Sequence, residues 1–177
     1  MRIKILIAAL FLASVPGLWL LSTRPWSDFT RLELKEAGTE RKIFSAFLRD
    51  EEQVVLTWKN SLFGLQVTEV FQARTGMLVL TQITFADPQG SAPPTVRAAD
   101  VDDFYHTGGP FFVQGLAKPF KQVVYRVGEI GDPKMRVKDR VVEFKQEVGF
   151  GGGVVLTVRN AGLFEAMDAR IFGGRYY

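Results

Sequence analysis

Apolar and polar side chains alternate along most of the chain after Trp26. In one run Val54, Leu56 and Trp58 alternate with neighbours that include Thr57 and Lys59. A period of two is typical of a β-strand with one buried face. The pattern predicts strands in ten runs: 32–34, 42–48, 54–59, 67–73, 77–85, 111–114, 122–127, 135–138, 141–147 and 154–159.

Short turn signals separate these runs. They include Thr75-Gly76, the stretches 131–133 and 138–140, and the glycine-rich stretch 149–153. Such connections join antiparallel neighbours, because parallel strands need long crossovers. We therefore predict an all-β fold, an antiparallel β-sandwich or barrel-like domain. The longest irregular stretch, 87–109, is expected to border a site if there is one.

The N-terminus carries a different signal. Residues 5–23 contain no charge and follow Arg2 and Lys4. Nineteen helical residues would reach across a bilayer, and no small-x-small cleavage site closes the segment. We predict a signal-anchor or signal peptide at 1–24, and an exported domain at 25–177. The membrane contacts would include Ile5, Leu10, Phe11, Leu18, Trp19 and Leu20.

Two alternatives remain for this segment. An uncleaved helix would hold the exported domain at the membrane that the helix spans. A cleaved signal would release the domain on the far side of that membrane.

One later segment has a helical pattern. Leu163, Phe164, Met167 and Ile171 fall on one face of a short C-terminal helix. We expect this helix to cap an open end of the sheet. The alternative is a surface that faces a membrane or a partner.

Composition excludes several classes of chemistry. The chain has 177 residues, no cysteine and one histidine, so it can build neither a thiolate site nor a multi-histidine metal site. Its formal charge is +3, but Arg2, Lys4 and Arg24 flank the apolar segment and leave the exported part balanced. A balanced domain without a basic cluster argues against nucleic acid as a partner.

One acidic loop is a candidate site. Asp100, Asp102, Asp103 and His106 lie close together in the sequence. Carboxylates suit a hard cation, but the spacing does not match a calcium loop, so we predict no metal and assign the loop to ligand or partner binding. The glycines at 149–153 are followed by Val154 and predict a hairpin connection rather than a phosphate loop.

The stretch 56–85 carries a resemblance. Trp58-Lys59-Asn60-Ser61, Gly64, the strand 67–71 and the strand 76–80 occur in an order that resembles the family catalogued as domain of unknown function 1850. This family has a histidine where Asn60 stands, whereas Ser61 and Glu69 are retained. The resemblance implies small exported β proteins of prokaryotes, often encoded beside tripartite ATP-independent periplasmic (TRAP) transporter components. It therefore places this chain in the bacterial cell envelope, either anchored in the inner membrane with the β domain in the periplasm or outside, or released into the periplasm after signal cleavage.

The second candidate site follows from these residues. Asn60, Ser61 and Glu69 would lie on one hairpin, with Glu69 on a partly apolar face between Val67 and Phe71. They would form a polar cluster that binds a ligand or partner, or Glu69 would point to solvent or pair locally with Asn60 or Ser61.

The function expected from all this is non-catalytic and needs no cofactor. We predict a membrane-anchored accessory or interaction protein associated with TRAP-type solute transport. A periplasmic module that binds a small solute or a metal is the alternative. No nucleophile, base and orienting group can be assembled by spacing, so we expect no enzyme.

Overall fold

Ten strands form two antiparallel sheets in the computed structural model, which describes residues 29–102, 104 and 108–172. The strands are β1 (Phe29–Glu36), β2 (Lys42–Arg49), β3 (Gln53–Lys59), β4 (Gln66–Arg74), β5 (Met77–Ala86), β6 (Phe111–Phe120), β7 (Gln122–Arg126), β8 (Lys134–Val137), β9 (Arg140–Glu143) and β10 (Gly153–Asn160). Two α-helices follow late in the chain, α1 (Phe144–Val148) and α2 (Leu163–Phe172), and a 3-10 turn spans Ala98–Asp100.

The four-stranded sheet has the order β2-β1-β10-β7, and the six-stranded sheet has the order β6-β5-β4-β3-β8-β9. Every neighbouring pair of strands is antiparallel. The all-β, antiparallel prediction is confirmed, and two separate sheets are the sandwich form of it.

Alternation explains why the two sheets pack together. Leu32 and Leu34 of β1 and Leu156 of β10 point inward from one sheet, and Leu56 and Val67 do so from the other. These side chains belong to one apolar cluster that draws residues from both sheets. Burial of this shared layer is the main force that holds the sheets face to face.

The strands of both sheets run between two ends of the domain. At one of them, called here the Phe29 end, β1 begins at Phe29, β10 ends at Asn160 and the β4–β5 turn contains Gly76. The Gly76 amide donates a hydrogen bond of 2.9 Å to the Thr30 hydroxyl and so joins the two sheets there. At the opposite end, called the cleft end, β3 finishes at Lys59 and β7 at Arg126.

The strand predicted at 141–147 is wrong in its second half. β9 stops at Glu143, and Phe144 opens the short helix α1. The Phe144 ring is fully buried and packs at 5.9 Å from the ring of Tyr125, while its amide donates to the Pro133 carbonyl at 3.0 Å. Turning the chain here brings the aromatic ring into the core, which a continued edge strand would not do.

The C-terminal helix exists where it is predicted, but it does not cap an open end. Ala166 and Ala169 are buried against Phe29, with Phe47 beside them. Phe29 alternates with the inward-facing Thr30, so α2 covers the outer face of the four-stranded sheet at the Phe29 end.

An acidic side chain of α2 forms ion pairs with the four-stranded sheet. Glu165 of α2 pairs with Arg31 and with Arg159, the latter at 2.8 Å. These guanidinium groups lower the pKa of Glu165 to about 2, with the Arg159 hydrogen bond as the largest cause.

The predicted membrane residues lie outside the described part of the chain. Ile5, Leu10, Phe11, Leu18, Trp19 and Leu20 all precede Phe29, as does the whole 1–24 segment. Within residues 29–102, 104 and 108–172, no helix has the length and apolar character needed to cross a membrane.

Candidate functional site

Asn60 organises the turn between β3 and β4. Its side-chain oxygen accepts hydrogen bonds from the amides of Leu62 at 2.9 Å and Phe63 at 3.2 Å. Its own backbone bonds to Leu65 and Gly64, each at 2.8 Å. This is an Asx turn, in which the amide oxygen replaces a backbone acceptor. The oxygen that the hairpin hypothesis assigned to a ligand is therefore engaged by the turn itself.

The next two residues are presented to solvent because of that turn. Ser61 is exposed, and the Leu62 side chain is 83% exposed. The turn therefore leaves a large apolar side chain open to water beside a polar one.

Glu69 lies on the inner face of β4, between the buried side chains of Val67 and Phe71. The Tyr125 hydroxyl, which comes from β7 in the opposite sheet, donates to its carboxylate at 2.5 Å. Burial raises the pKa of Glu69 above its ordinary value, and the Tyr125 hydrogen bond partly opposes this. The predicted apolar surroundings of Glu69 are present, but neither solvent nor Asn60 is its partner.

Trp58 acts on the same carboxylate. Its indole N–H is buried, and among the described residues it has no hydrogen-bond partner of ordinary geometry. It nevertheless lowers the pKa of the Glu69 carboxyl, less than Tyr125 does. The Trp58 side chain also lines the surface at the cleft end.

The structure separates the predicted hairpin cluster into two parts. Asn60 and Ser61 lie in the turn beyond the Lys59–Gln66 pair, whereas Glu69 lies opposite Leu56 along the strands. Three residues of strand between Gln66 and Glu69 amount to roughly 10 Å. The turn residues face the surface, and Glu69 faces the core.

An open cleft of about 510 Å³ lies beside the turn at the cleft end. One wall is the end of β3 with the turn, and the other is the loop between β7 and β8. The Lys59 amide donates to the Gly131 carbonyl at 2.7 Å and ties the two walls together. The lining residues are Trp58, Lys59, Asn60, Ser61, Leu62, Arg126, Gly128, Glu129, Ile130 and Gly131.

The cleft combines apolar and charged groups. Leu62 and Ile130 are exposed apolar side chains on its two walls, and Trp58 is half-buried between them. Lys59, Arg126 and Glu129 add exposed charges with a positive balance. A second cleft of about 540 Å³ shares Lys59, Ile130 and Gly131 with the first, so the surface continues toward Lys134.

Lys134 lines the second cleft and is part of an ion-pair network. Its ammonium lies 3.0 Å from Glu143 and 3.4 Å from Asp132. The pKa of Lys134 is raised, first by the hydrogen bond to Glu143. Since this charge is already paired, Lys59 and Arg126 are the cations more open to an incoming group.

The acidic loop does not form a metal centre in the part that is described. Asp100 pairs with Arg97 at 2.7 Å, and Asp102 is exposed. Asp103 and His106 lie outside the described residues. Among residues 29–102, 104 and 108–172, no three histidine, aspartate or glutamate side chains gather closely enough to hold a metal ion.

Aromatic side chains pack between the β3–β4 turn and the stretch that contains the acidic loop, so the two predicted candidate sites lie next to each other. The ring of Phe63 in the turn lies against Gly108, where an added Cβ would come within 2.5 Å of the ring. Phe85 stacks on Phe111 at 4.7 Å, and Phe104 lies 5.7 Å from Phe111. The cavity between these side chains is only about 20 Å³, so they are packed closely and leave no room for a solute.

The site residues that could not be identified from the sequence lie at the end of β7 and in the loop between β7 and β8. Arg126, Glu129 and Ile130 form half of the cleft, about 70 residues from Asn60 in sequence. One signal was available: Ile130 is an apolar residue inside the turn sequence Gly128-Glu129-Ile130-Gly131. Apolar side chains in such loops have no strand face to bury on.

Comparison with known proteins adds no identification. No known protein family, curated protein or solved structure matched the chain. The resemblance to domain of unknown function 1850 stays a prediction.

Proposed function

We propose that this chain is a membrane-anchored binding protein of the bacterial cell envelope that holds a partner in the cleft end and catalyses no reaction. The observation that carries the proposal is the cleft itself, in which exposed Leu62 and Ile130 flank Trp58 beside Lys59 and Arg126. Loops at the end of a sandwich are a common place for recognition, because the rigid sheets position them.

The chemistry of the lining indicates what it accepts. An apolar side chain from a partner would fill the space between Leu62 and Ile130, and a neighbouring carboxylate would meet Arg126 or Lys59. The cleft is open rather than enclosed, which suits a protruding segment of another protein. Components of a TRAP-type transporter are the partners that the family resemblance suggests.

The anchor is the second part of the proposal. The uncharged segment 5–23 precedes Phe29, and the cleft lies at the end of the domain opposite Phe29. Anchoring there would leave the cleft directed away from the bilayer, where partners have access to it.

Photo-crosslinking in intact cell envelopes tests the binding surface. A photoreactive amino acid at Leu62 is expected to give a discrete adduct that contains a transporter component. The matched control is Val124, which is 56% exposed on β7 outside the cleft, and which should give none. Equal labelling patterns from the two positions would refute the cleft as the contact surface.

A second candidate function is the binding of a small solute, and the cleft volume supports it. About 510 Å³ falls within the range of small-molecule sites. A solute with a carboxylate should then raise the melting temperature of the purified domain, and Arg126→Ala should abolish that rise. If solutes have no effect while the Leu62 adduct forms, the partner proposal is the one that survives.

A further inference from the structure

Over residues 163–169, where its side chains are described, helix α2 has small side chains inward and large apolar ones outward. Ala166 and Ala169 are buried on the outer face of the four-stranded sheet. Leu163, Phe164 and Met167 are 47%, 83% and 38% exposed. A surface helix of a soluble domain normally buries the large apolar side chains, so this arrangement leaves an apolar ridge, Leu163–Phe164–Met167, open to its surroundings.

The ridge belongs to a helix that packs beside the start of β1. Phe29 is in contact with the helix through Ala166 and Ala169, and the chain that precedes Phe29 leads to the uncharged segment 5–23. Five residues, 24–28, separate that segment from Phe29, and even a fully extended chain of this length spans at most about 20 Å. An anchor in the bilayer would therefore hold α2 close to the membrane surface.

We propose that the Leu163–Phe164–Met167 ridge rests in the headgroup region of the bilayer as a second, interfacial membrane contact. The inference rests on the anchor included in the proposed function. Interfacial helices place Phe, Leu and similar side chains at the boundary between headgroups and acyl chains.

The low number of basic residues on α2 does not oppose this contact. A helix that binds membranes by itself needs attraction to anionic lipids. Here the anchor would supply the attachment, and a tethered ridge meets the bilayer at a high effective concentration. The apolar side chains alone then suffice to orient the domain.

Other occupants are less favoured. Residues 5–23 cannot cover the ridge while they span the bilayer. The tether would already hold the ridge close to the membrane surface. A second copy of the chain would have to compete with the bilayer for the same face.

The absence of cysteine makes a clean test possible, because a single introduced cysteine carries the only spin label. Phe164→Cys and Leu62→Cys are matched, since both native side chains are 83% exposed and they lie at opposite ends of the domain. The full chain, labelled at one position and reconstituted into vesicles without partners, is exposed to a nickel complex that stays in water or to oxygen that partitions into lipid.

The expected result is a label at 164 that is several-fold less accessible to nickel than the label at 62, and more accessible to oxygen. Equal nickel accessibility, in protein that carbonate washing leaves in the membrane, overturns the ridge contact and leaves the anchor standing. Protection at 164 from both reagents shows that protein covers the ridge, which also overturns it. Release of the chain by carbonate would refute the anchor, and the ridge contact with it. Unchanged circular dichroism of both variants confirms that the fold is intact.

Discussion

Glu69 introduces a carboxyl group between Val67 and Phe71, on the inner face of β4. Its shared face with Val67 and Phe71 could be predicted, because a period of two assigns every second residue of a strand to one face, whereas an orientation toward solvent was left open. Its partner could not, since Tyr125 lies 56 residues away and reaches Glu69 from the opposite sheet. Alternation determines which face a side chain occupies, but the packing of the sheets determines what it meets.

The raised pKa of Glu69 predicts a pH-dependent stability. With its pKa raised above 4.5, this carboxyl binds a proton more tightly in the folded chain than in the unfolded chain. The free energy of unfolding should therefore decrease as the pH rises above 4.5. Glu69→Gln carries no charge at any pH and should gain stability relative to the native chain between pH 4.5 and neutrality. Denaturant unfolding at both ends of the range measures the difference.

Tyr125→Phe is the companion variant for this measurement. It removes the hydroxyl that favours the charged carboxylate, so it should steepen the loss of stability with rising pH. Parallel pH profiles for the native and Glu69→Gln chains would show that burial does not control this group.

We expect Asn60 to contribute to the stability of the β3–β4 turn rather than to contact a partner directly. Asn60→Ala removes the acceptor for two backbone amides and should cost about 1 kcal/mol of unfolding free energy. Asn60→Asp retains an acceptor and should remain close to the native value. Urea unfolding of a chain that starts near Trp26 provides the comparison. A loss of partner binding by Asn60→Asp at unchanged stability would instead assign this side chain to recognition.

At the scale of elements, the positions of the strands were predictable and their ends less so. β6 extends to Phe120, although the alternation supported only 111–114, because its pairing with β5 shifts register between Leu80 and Gln82 and then resumes. The short helix α1 was missed for a related reason. Its sequence has an apolar period compatible with a strand, and only the burial of Phe144 favours the turn.

The β4–β5 turn at the Phe29 end is a tight contact between the sheets. Gly76 has a φ of +74°, and an added Cβ would lie 2.5 Å from the Asn160 side-chain oxygen and 2.7 Å from its amide nitrogen. Gly76→Ala should therefore cost more than about 2 kcal/mol, through both backbone strain and overlap. Gly38→Ala is the control, since Gly38 has a φ of +87° and open space around it. Its expected cost is about 1 kcal/mol, from strain alone. Thermal unfolding ranks the two variants, and equal losses would argue against the close approach to Asn160.

Helix α2 should depend on Glu165 in a pH-dependent way. The pKa of this carboxyl is lowered from 4.5 to about 2, so its contribution is complete above pH 4.5 and is lost as the pH falls toward 2. Because the side chain is partly exposed, Glu165→Gln should cost only about 1 kcal/mol at neutral pH. The difference between variant and native chain should shrink on acidification, as measured by denaturant unfolding. A difference that is constant with pH would mean that packing, and not charge, is what the substitution disturbs.

At the scale of the whole molecule, the two ends of the domain are built from different elements. Phe29 and α2 lie at one end, and the cleft lies at the other. The all-β antiparallel class could be predicted from the alternating runs and the short turns between them, but the arrangement of the two ends could not. The cleft itself was only half predictable, because its second wall comes from a loop that is distant in sequence.

Membrane attachment is the prediction that belongs to the entire chain. Carbonate washing of membranes should leave the intact protein in the pellet, since the uncharged segment 5–23 is long enough to span the bilayer. Immunoblotting of pellet and supernatant measures this. A soluble product that begins after Trp19 would favour the cleaved-signal alternative.

The central position of β1 has a mechanical consequence. This strand follows directly from the N-terminal segment and pairs with β10 on one side and with β2 on the other, through seven residue pairs on each. Tension between a membrane tether and a partner held at the cleft end would act along the axis of β1. Both ladders would then be loaded in shear, so that many hydrogen bonds resist together instead of opening one at a time. Under the proposed anchor and partner contact, this arrangement would resist separation of β1 from its neighbours better than a strand at the edge of the sheet would.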